Sequence, residues 1–193
     1  MGRLLDVDDS VLCAVDVQPG FLDKIGETDA REPFLQRVVW VTALATALAV
    51  PIVVTEEEPE YNGPTPPEVT ERLPDRTPRY AKPTFGLADV PEILAAVEAT
   101  GRRTAVIVGM ETDVCVAHSA LGLLDRDYRV VVVRDAVLAP GNAHAGGIER
   151  MRAAGVTLIG AKGLFYEWVR TVDGAWKAGE QIASVPVPDG LIL

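Results

Sequence analysis

Short apolar runs rich in valine and isoleucine alternate with helical patterns along most of this chain. The predicted strands cover residues 11–17, 51–55, 104–108, 129–134 and 156–159, and the main predicted helices cover residues 32–50, 91–100, 114–126 and 143–154. Strands without polar alternation are buried on both faces, which is typical of parallel sheets with crossover helices. The pattern predicts an α/β fold: a single doubly wound, Rossmann-like domain of three layers with a mainly parallel sheet, over residues 1–193.

Two segments interrupt this alternation. Residues 56–80 contain six of the fourteen prolines, and we predict a long excursion over the sheet edge there. Excursions of this length in a compact domain often carry function. The C-terminal tail, from about residue 163, has aromatic side chains without a clear period. We expect it to dock on the domain or on a partner subunit.

The charge balance disfavours several classes of partner. The chain has 18 Lys and Arg against 28 Asp and Glu, a net charge of −10, so we expect no binding to nucleic acid or to membrane surfaces. Residues 38–54 carry no charge, but Pro51 divides them, and we predict a buried helix and then a buried strand rather than a membrane span. The first ten residues lack the order of a signal peptide, and two cysteines exclude a disulfide framework. We therefore expect a cytoplasmic protein.

Three polar residues fall at or near the carboxyl ends of predicted strands, where doubly wound sheets bind ligands. Asp16 lies at the end of the first strand, Lys82 follows the long excursion, and Cys115 opens a helix after the strand at 104–108. A helix N-terminus and a nearby ammonium group lower the pKa of a thiol, and a carboxylate can take its proton. The three residues have the chemistry of a nucleophile, an electrostatic partner and a base. Their spacing leaves open whether they meet.

Each of these residues also has a structural alternative. A buried cysteine is common in protein cores, which is our prediction for Cys13 and the alternative for Cys115. Asp16 could tie a loop at the strand end, and Lys82 could be a solvated surface residue. A pair between Cys115 and His118, three residues later on one helix, is another alternative, although a packed or interface histidine is favoured there.

Three segments of the sequence resemble the isochorismatase-like cysteine hydrolases. They are DVQPGF at residues 16–21, KPTFG at residues 82–86 and GMETDVCV at residues 109–116. The family pattern is D-x-Q-x-x-F, then a lysine before an aromatic residue, then G-x-x-T-D/E-x-C-V. The order, intervals and strand context agree from about residue 11 to residue 170, and the third segment is the most specific.

The resemblance implies a role for each residue. Cys115 would attack an amide-type carbonyl to form a thioester, Asp16 would be general base and then acid, and Lys82 would stabilise the thiolate. A non-proline cis peptide would precede Glu111, and the backbone N–H groups of Glu111 and Cys115 would form an oxyanion hole. Water would then release the acid. Relatives are commonly homo-oligomers, which the apolar helix surfaces and aromatic tail also favour here.

The sequence departs from two relatives in ways that bear on the reaction. Nicotinamidases bind a metal through D-x-H and a further histidine after the second strand, where this chain reads TEEEPE at residues 55–60. Its two histidines, His118 and His144, cannot build such a site, so we expect no metal ion. True isochorismatases cleave a vinyl ether and usually lack the cysteine, so Cys115 argues against that chemistry. No Gly-rich phosphate loop is present, and we expect no cofactor.

We expect four further residues to line the substrate pocket. They are Gln18, Phe21, Glu56 and Phe85, with the apolar core as the alternative for the two phenylalanines. The glutamates at 57, 58 and 60 are predicted to be a solvated charge run. The sequence thus predicts a metal-independent cysteine hydrolase of a small-molecule, amide-type C–N bond. Ester or carbamate hydrolysis at the same site, and a non-catalytic binding or scaffold protein, are the alternatives.

Overall fold

The computed structural model describes residues 3–25 and 30–193 of the chain. Within these residues, one sheet has six strands, all parallel, in the order β3-β2-β1-β4-β5-β6. The strands are β1 Ser10–Val15, β2 Ile52–Glu57, β3 Arg79–Lys82, β4 Thr104–Met110, β5 Arg129–Leu138 and β6 Thr157–Ile159. The parallel sheet confirms the predicted doubly wound α/β fold.

Helices connect the strands and cover both faces of the sheet. The helices are α1 Pro19–Ile25, α2 Arg31–Ala47, α3 Pro59–Asn62, α4 Pro67–Thr70, α5 Pro91–Ala99, α6 Ala117–Leu124, α7 Ala143–Ala153, α8 Ala161–Val169 and α9 Val172–Gln181. A 3₁₀ turn precedes β1 at Val7–Asp9, and a π-helical turn precedes α6 at Thr112–Val116. Residues 1, 2 and 26–29, which the predicted domain includes, lie outside the described residues.

Two apolar cores, one on each face of the sheet, explain why the strands read as unbroken apolar runs. Leu12 of β1 packs in the core that contains Trp40 of α2, and the adjacent Cys13 packs in the core that contains Leu123 of α6. All six residues of β1 are buried because neighbouring side chains face opposite cores. Cys13 is 0% exposed, as predicted for a core residue.

The uncharged stretch at residues 38–54 forms most of α2, the turn after it and the first half of β2. A buried helix followed by a buried strand is the arrangement that we predicted. In the part of the chain that the structure describes, no helix is long and apolar enough to cross a bilayer.

Two segments are more regular than their sequences indicate. The excursion at 56–80 holds α3, α4 and the edge strand β3, which has only four residues and carries both Arg79 and Lys82. So short and charged a strand gives no apolar signal, although charged side chains are common on sheet edges. The tail forms α8 and α9, which pack against each other.

Candidate active site

Four side chains meet beyond the carboxyl ends of four neighbouring strands. Asp16 follows β1, Glu57 ends β2, Lys82 ends β3, and Cys115 lies in the π-helical turn after β4. Glu57 and Lys82 are register partners in the parallel pair of β2 and β3. Because all these strands run in one direction, their carboxyl ends share one edge of the sheet. The structure therefore brings the three predicted residues together and adds Glu57 to them.

Lys82 and Asp16 form a fully buried ion pair. Lys82 Nζ lies 2.6 Å from Asp16 Oδ2, and both side chains are 0% exposed. The same ammonium donates hydrogen bonds to the carbonyl oxygens of Thr84 at 2.8 Å and Phe85 at 3.1 Å. Thr55 Oγ1 donates to Asp16 Oδ1 at 2.8 Å. Burial raises the pKa of Asp16, while Lys82 and the Thr55 hydroxyl oppose this rise by stabilising the carboxylate.

The Cys115 thiol is buried beside two carboxylates. Cys115 is 1% exposed, and its sulfur donates a hydrogen bond to Glu57 Oε2 over 2.9 Å. Burial and the nearby Asp16 raise the pKa of Cys115, Lys82 opposes this, and Glu57 raises it further. Lys82 lowers the pKa of Cys115, as we expected of a nearby ammonium, but burial and the two carboxylates outweigh this single cation and the net direction is upward. These surroundings favour the protonated thiol over the thiolate.

Glu57 is the residue that the sequence analysis missed. We predicted a solvated side chain, but it is only 16% exposed and its Oε2 lies 3.7 Å from Lys82 Nζ. The signal available in the sequence was the period of two along β2. Thr55, which contacts Asp16, and Glu57 lie on the same face of that strand.

Glu56, which we expected in the substrate pocket, lies on the opposite face of β2. Its Oε1 accepts a hydrogen bond from the backbone N–H of Thr65 at 2.8 Å and lies 3.6 Å from Arg79 Nε. Successive side chains of a strand point to opposite faces, so Glu56 faces away from Cys115, and its place in a substrate pocket stays a prediction. Glu56 stabilises the loop after β2, and Glu57 takes the place beside the thiol.

Gln18 is also buried, but its amide binds backbone groups. Its Oε1 accepts from the Glu57 N–H at 2.7 Å, and its Nε2 donates to the carbonyl oxygens of Glu57 at 3.0 Å and Gly63 at 2.6 Å. The expected place of Gln18 in the substrate pocket stays a prediction. Gln18 fixes the end of β2 and with it the position of the Glu57 side chain.

The two phenylalanines of the predicted pocket have different surroundings. Phe21 is 3% exposed and packs in the core on the α2 side of the sheet, which is the alternative that we kept open. Phe85 is 52% exposed and its ring packs edge-on against His118, with 5.8 Å between the ring centroids. His118 is thus engaged with Phe85, while the hydrogen-bond partner of Cys115 is Glu57.

The turn that carries Cys115 is held at both ends. The Met110–Glu111 peptide bond is cis, at the position that the family resemblance implies. Val116 N–H donates to the Glu111 carbonyl oxygen at 3.1 Å, and Thr112 Oγ1 lies 2.9 Å from His144 Nδ1 on α7.

Gly109, which opens the motif before Cys115, allows β4 to pass close to β1. Its φ is +126°, and a Cβ at this position would lie 1.8 Å from the Val15 carbonyl oxygen. The register between β4 and β5 shifts between Ile107 and Gly109. Only glycine fits here, which explains this motif position in steric terms.

The same cluster contains the one group of potential metal ligands found among residues 3–25 and 30–193. The ligand atoms of Asp16, Glu57 and Cys115 lie within 4.8 Å of one another. Lys82 Nζ, however, contacts both carboxylates, at 2.6 Å and 3.7 Å, and supplies the positive charge between them. A cation placed there would meet the ammonium, so these residues fit a proton-transfer site better than a metal site.

Comparison with known proteins agrees with the motifs. Residues 10–162 match the family model described as the isochorismatase domain. The chain belongs to the isochorismatase family. It is 34% identical over 134 residues to the probable hydrolase YcaC of Escherichia coli, a match that covers 68% of this chain and 64% of the relative. It is 30% identical over 191 residues to isochorismatase domain-containing protein 2 of Xenopus laevis, with 95% and 88% covered.

Solved structures of this family share the fold. YcaC from Pseudomonas aeruginosa, described with hexane-2,5-diol and covalent acrylamide, has a TM-score of 0.87 at 28% identity, with 96% of this chain and 93% of that chain covered. The E. coli YcaC structure, described as an octameric hydrolase of unknown specificity, has the same TM-score and identity, with 98% and 93% covered. The identification of this chain as an isochorismatase-family member from its three motifs is confirmed.

Proposed function

We propose that this isochorismatase-family hydrolase uses Cys115 to cleave an amide-type C–N bond of a small molecule through a thioester, without a metal ion. The observation that carries the proposal is the convergence of one thiol, two carboxylates and one ammonium at the strand ends. A packed core cysteine has no need of these charged neighbours, because burying charge costs free energy unless it is compensated.

The reaction follows from the protonation state of the site. The Cys115 sulfur bonds to the carbonyl carbon while a neighbouring carboxylate accepts the thiol proton. The carbonyl π electrons move to the oxygen and return as the C–N bond breaks, and the carboxylate gives its proton to the departing nitrogen. Water then attacks the thioester, loses a proton to the carboxylate, and the sulfur leaves and is protonated again. The resemblance assigns this base and acid role to Asp16.

Lys82 and two backbone N–H groups are proposed to stabilise the charges that develop. The Lys82 ammonium lies 2.6 Å from Asp16 and 3.7 Å from Glu57, and it is proposed to balance the negative charge that the site carries during the reaction. The N–H groups of Glu111 and Cys115 belong to the turn directly after β4 and are proposed to bind the oxyanion.

Burial of the site favours a small substrate. Asp16, Lys82 and Cys115 are each at most 1% exposed, so a polymer chain has no access to the sulfur in this conformation. A cavity of about 830 Å³ lies between α8, α9 and the C-terminal residues, and none of these three residues lines it. We assign that cavity to assembly rather than to the reaction.

The apolar surface around that cavity is proposed to be buried between copies of this chain. Tyr166 is 45% exposed, Val172 78% and Trp176 73%, although all three are apolar or aromatic. Exposed apolar patches of this kind mark interaction sites. The description of E. coli YcaC as octameric supports a homo-oligomer here. The two buried free cysteines are compatible with the proposed cytoplasmic location.

The proposed function is tested by a panel of matched small amides, esters and carbamates with three proteins. Wild type and Cys13→Ala are expected to release the acid from amides, and Cys115→Ala is expected to lose all turnover. Rapid acid quench and intact mass should detect an acyl adduct on Cys115. Turnover that persists in Cys115→Ala would refute the proposal. Turnover of esters or carbamates alone would favour the other bond types, and no turnover with any compound would favour a scaffold.

A further inference from the structure

We propose that Glu57 selects substrates that carry a positive charge close to the scissile bond, such as an ammonium, amidinium or guanidinium group. The proposal rests on the proposed function and names the substrate class of the same site. Asp16 keeps its role as the base, and Glu57 binds a part of the substrate that does not react.

The cluster around the thiol has more negative groups than cations. Asp16 and Glu57 each bring a carboxylate, and Lys82 is the ammonium that contacts them, at 2.6 Å and 3.7 Å. Two of its three N–H groups serve the carbonyl oxygens of Thr84 and Phe85, and the short ion pair holds the ammonium beside Asp16. The 3.7 Å to Glu57 is too long for a hydrogen bond. Glu57 therefore has no cation of its own.

The neighbouring acidic side chains differ from Glu57 in this respect. Glu56 Oε1 lies 3.6 Å from Arg79 Nε. Glu111 Oε1, in the residue that follows the cis peptide bond, lies 3.4 Å from Lys24 Nζ. Because each of these carboxylates has a cation beside it, the uncompensated negative charge of the site lies at Glu57.

The contacts of Glu57 leave one of its two oxygens free. The Cys115 thiol donates to Oε2 over 2.9 Å, and the contact with Lys82 also involves Oε2. Within residues 3–25 and 30–193, no group donates a hydrogen bond to Oε1. A carboxylate that is largely buried loses hydration, and the loss is compensated only when donors replace the water. A substrate cation at Oε1 supplies these donors on an oxygen that the ammonium of Lys82 does not contact.

Exposure and backbone support both favour substrate contact at Glu57. Its side chain is 16% exposed, whereas those of Asp16 and Lys82 are 0% exposed, so the open side of the cluster is at Glu57. Gln18 accepts from the Glu57 N–H at 2.7 Å, and Asn62 Nδ2 donates to the Glu57 carbonyl oxygen at 2.9 Å. These bonds fix the carboxylate relative to the sulfur, as a specificity contact requires.

Asp16 stays free for proton transfer in this arrangement. Its Oδ2 is buried and accepts no hydrogen bond from the part of the chain that the structure describes, although Lys82 Nζ lies 2.6 Å away. The Cys115 thiol is within hydrogen-bond reach of Asp16, and this contact lowers the pKa of that carboxyl. The thiol proton can therefore pass to Asp16 while Glu57 holds the substrate.

The contact between Glu57 and the sulfur limits where the substrate carries its charge. The carbonyl carbon under attack lies next to the sulfur, which is 2.9 Å from Glu57 Oε2. A cation that binds Glu57 then lies about two to four bonds from that carbon, given an N–H···O distance of about 3 Å. Small amino amides meet this condition. Amides with a carboxylate at the same distance are disfavoured, because like charges repel.

The first test needs no substrate and uses three methanethiosulfonates that differ in charge. The 2-aminoethyl reagent is cationic, the 2-hydroxyethyl reagent neutral and the 2-sulfonatoethyl reagent anionic. Each forms a disulfide with Cys115 as methanesulfinate leaves, and intact mass gives the rate in the Cys13→Ala background. Division by the rate with 2-mercaptoethanol removes the intrinsic reactivity of each reagent. Because all three react with the same thiolate, the ratio of cationic to anionic rates is independent of the thiolate fraction.

We expect Cys115 to favour the cationic over the anionic reagent by about tenfold or more, the effect of one partly screened unit charge a few ångströms away. Glu57→Gln should remove most of this preference, and Glu57→Asp, which keeps the charge, should retain it. The matched control Glu60→Gln, at an exposed glutamate three residues away, should leave the ratio unchanged. Far-UV circular dichroism and the thermal midpoint verify that each variant is folded.

The second test measures turnover of β-alaninamide, butyramide and succinamate. These amides place an ammonium, a methyl or a carboxylate group at the same distance from the carbonyl carbon. We expect the highest kcat/KM for β-alaninamide. Glu57→Gln should lower that value about tenfold, mainly through KM, and should change the value for butyramide by less than about threefold.

The outcomes separate this proposal from the proposed function. An equal cation preference with and without Glu57 would remove Glu57 from substrate selection. A wild-type preference for the neutral or anionic reagent, or no reaction of the folded protein with any of them, would overturn the proposal without any variant. If Cys115→Ala keeps its amide turnover, the proposed function fails, while the charge preference of the thiosulfonates still decides the role of Glu57.

Discussion

Cys115 Sγ and Glu57 Oε2 lie 2.9 Å apart, and the sulfur is the hydrogen-bond donor. The contact joins the turn after β4 to the end of β2, two strands that flank β1 in the sheet. Burial and two carboxylates raise the pKa of Cys115 against the single ammonium of Lys82. Under the proposed function, we expect the proton to leave as the sulfur bonds, which is general-base catalysis rather than attack by a preformed thiolate.

The pH dependence of alkylation should show this directly. Below the pKa of a thiol, the thiolate fraction and hence the alkylation rate rise about tenfold per pH unit. Because the pKa of Cys115 is raised, we expect a rising rate through pH 9 with no plateau, measured by intact mass in the Cys13→Ala protein. Lys82→Ala should slow the reaction further at each pH. A plateau below about pH 8 would show a stabilised thiolate and contradict the prediction.

Substitutions of Lys82 and Asp16, which form a buried ion pair, should have strongly non-additive effects on the free energy of unfolding. Lys82→Met leaves Asp16 without its partner and should cost about 3–5 kcal/mol in the free energy of unfolding, measured in urea. Adding Asp16→Asn should recover a large part of this loss, because the uncompensated charge is then gone. The exposed pair of Lys177 and Asp173, 2.7 Å apart and 72% and 76% exposed, provides the control. Lys177→Met should change stability by less than about 1 kcal/mol; equal losses at both lysines would refute the argument.

Gly109 should tolerate no side chain. A Cβ there would lie 1.8 Å from the Val15 carbonyl oxygen, and the φ of +126° is unfavourable for any other residue. We expect Gly109→Ala to cost more than about 4 kcal/mol or to prevent soluble expression. Gly146→Ala is the matched control, because it lies within α7 and its Cβ would have no neighbour within 4 Å. That variant should be neutral or stabilised by up to about 1 kcal/mol, since alanine favours helix. Similar thermal midpoints for both variants would contradict the steric argument.

The buried thiol of Cys13 should make the fold less stable in alkali. Burial raises its pKa from 9.0 to about 12. Between these two pH values the unfolded chain releases a proton that the folded chain keeps. The contribution of the Cys13 thiol to the free energy of unfolding is therefore fully present below pH 9 and decreases as the pH rises. Each pH unit in this window lowers the folding constant by up to about tenfold for this thiol. The stability difference between wild type and Cys13→Ala in urea should therefore change with pH above 9, and a constant difference would disprove the assignment.

The apolar surface on α8 and α9 should control assembly. Trp176 is 73% exposed, and Trp176→Glu places a charge that cannot be buried without a partner. We expect size-exclusion chromatography with light scattering to show a smaller species for this variant than for wild type. Lys177→Met, one residue later and 72% exposed, is the control and should leave the assembly unchanged. A wild-type monomer, or an unchanged mass for Trp176→Glu, would place the interface elsewhere.

Sequence patterns predicted the sheet because two-sided burial leaves a strong signal. Each face of β1 packs in its own core, so its strand is an unbroken apolar run. The edge strand β3 has no such signal, since one side of it has no neighbouring strand and only four residues take part. Most of the π-helical turn before α6 was likewise predicted as ordinary helix. Gly147 of α7 lies close to the backbone of Thr112 in this turn, a contact between distant segments that local sequence does not show.

Residue types and spacing by themselves determined the parallel α/β fold, the family motifs and the three polar positions at strand ends. Strand direction explains this success: the carboxyl ends of parallel strands share one edge, which places Asp16, Lys82 and Cys115 at the same edge of the sheet, while the contacts among them come from the tertiary structure. The register of β2 decided the rest. It turned Glu57 towards the thiol and Glu56 away from it. The sequence has three glutamates in a row here, and their residue type does not show which one faces the site. The balance of charges around Cys115, and therefore its protonation, depends on distances of a few ångströms that only tertiary packing sets.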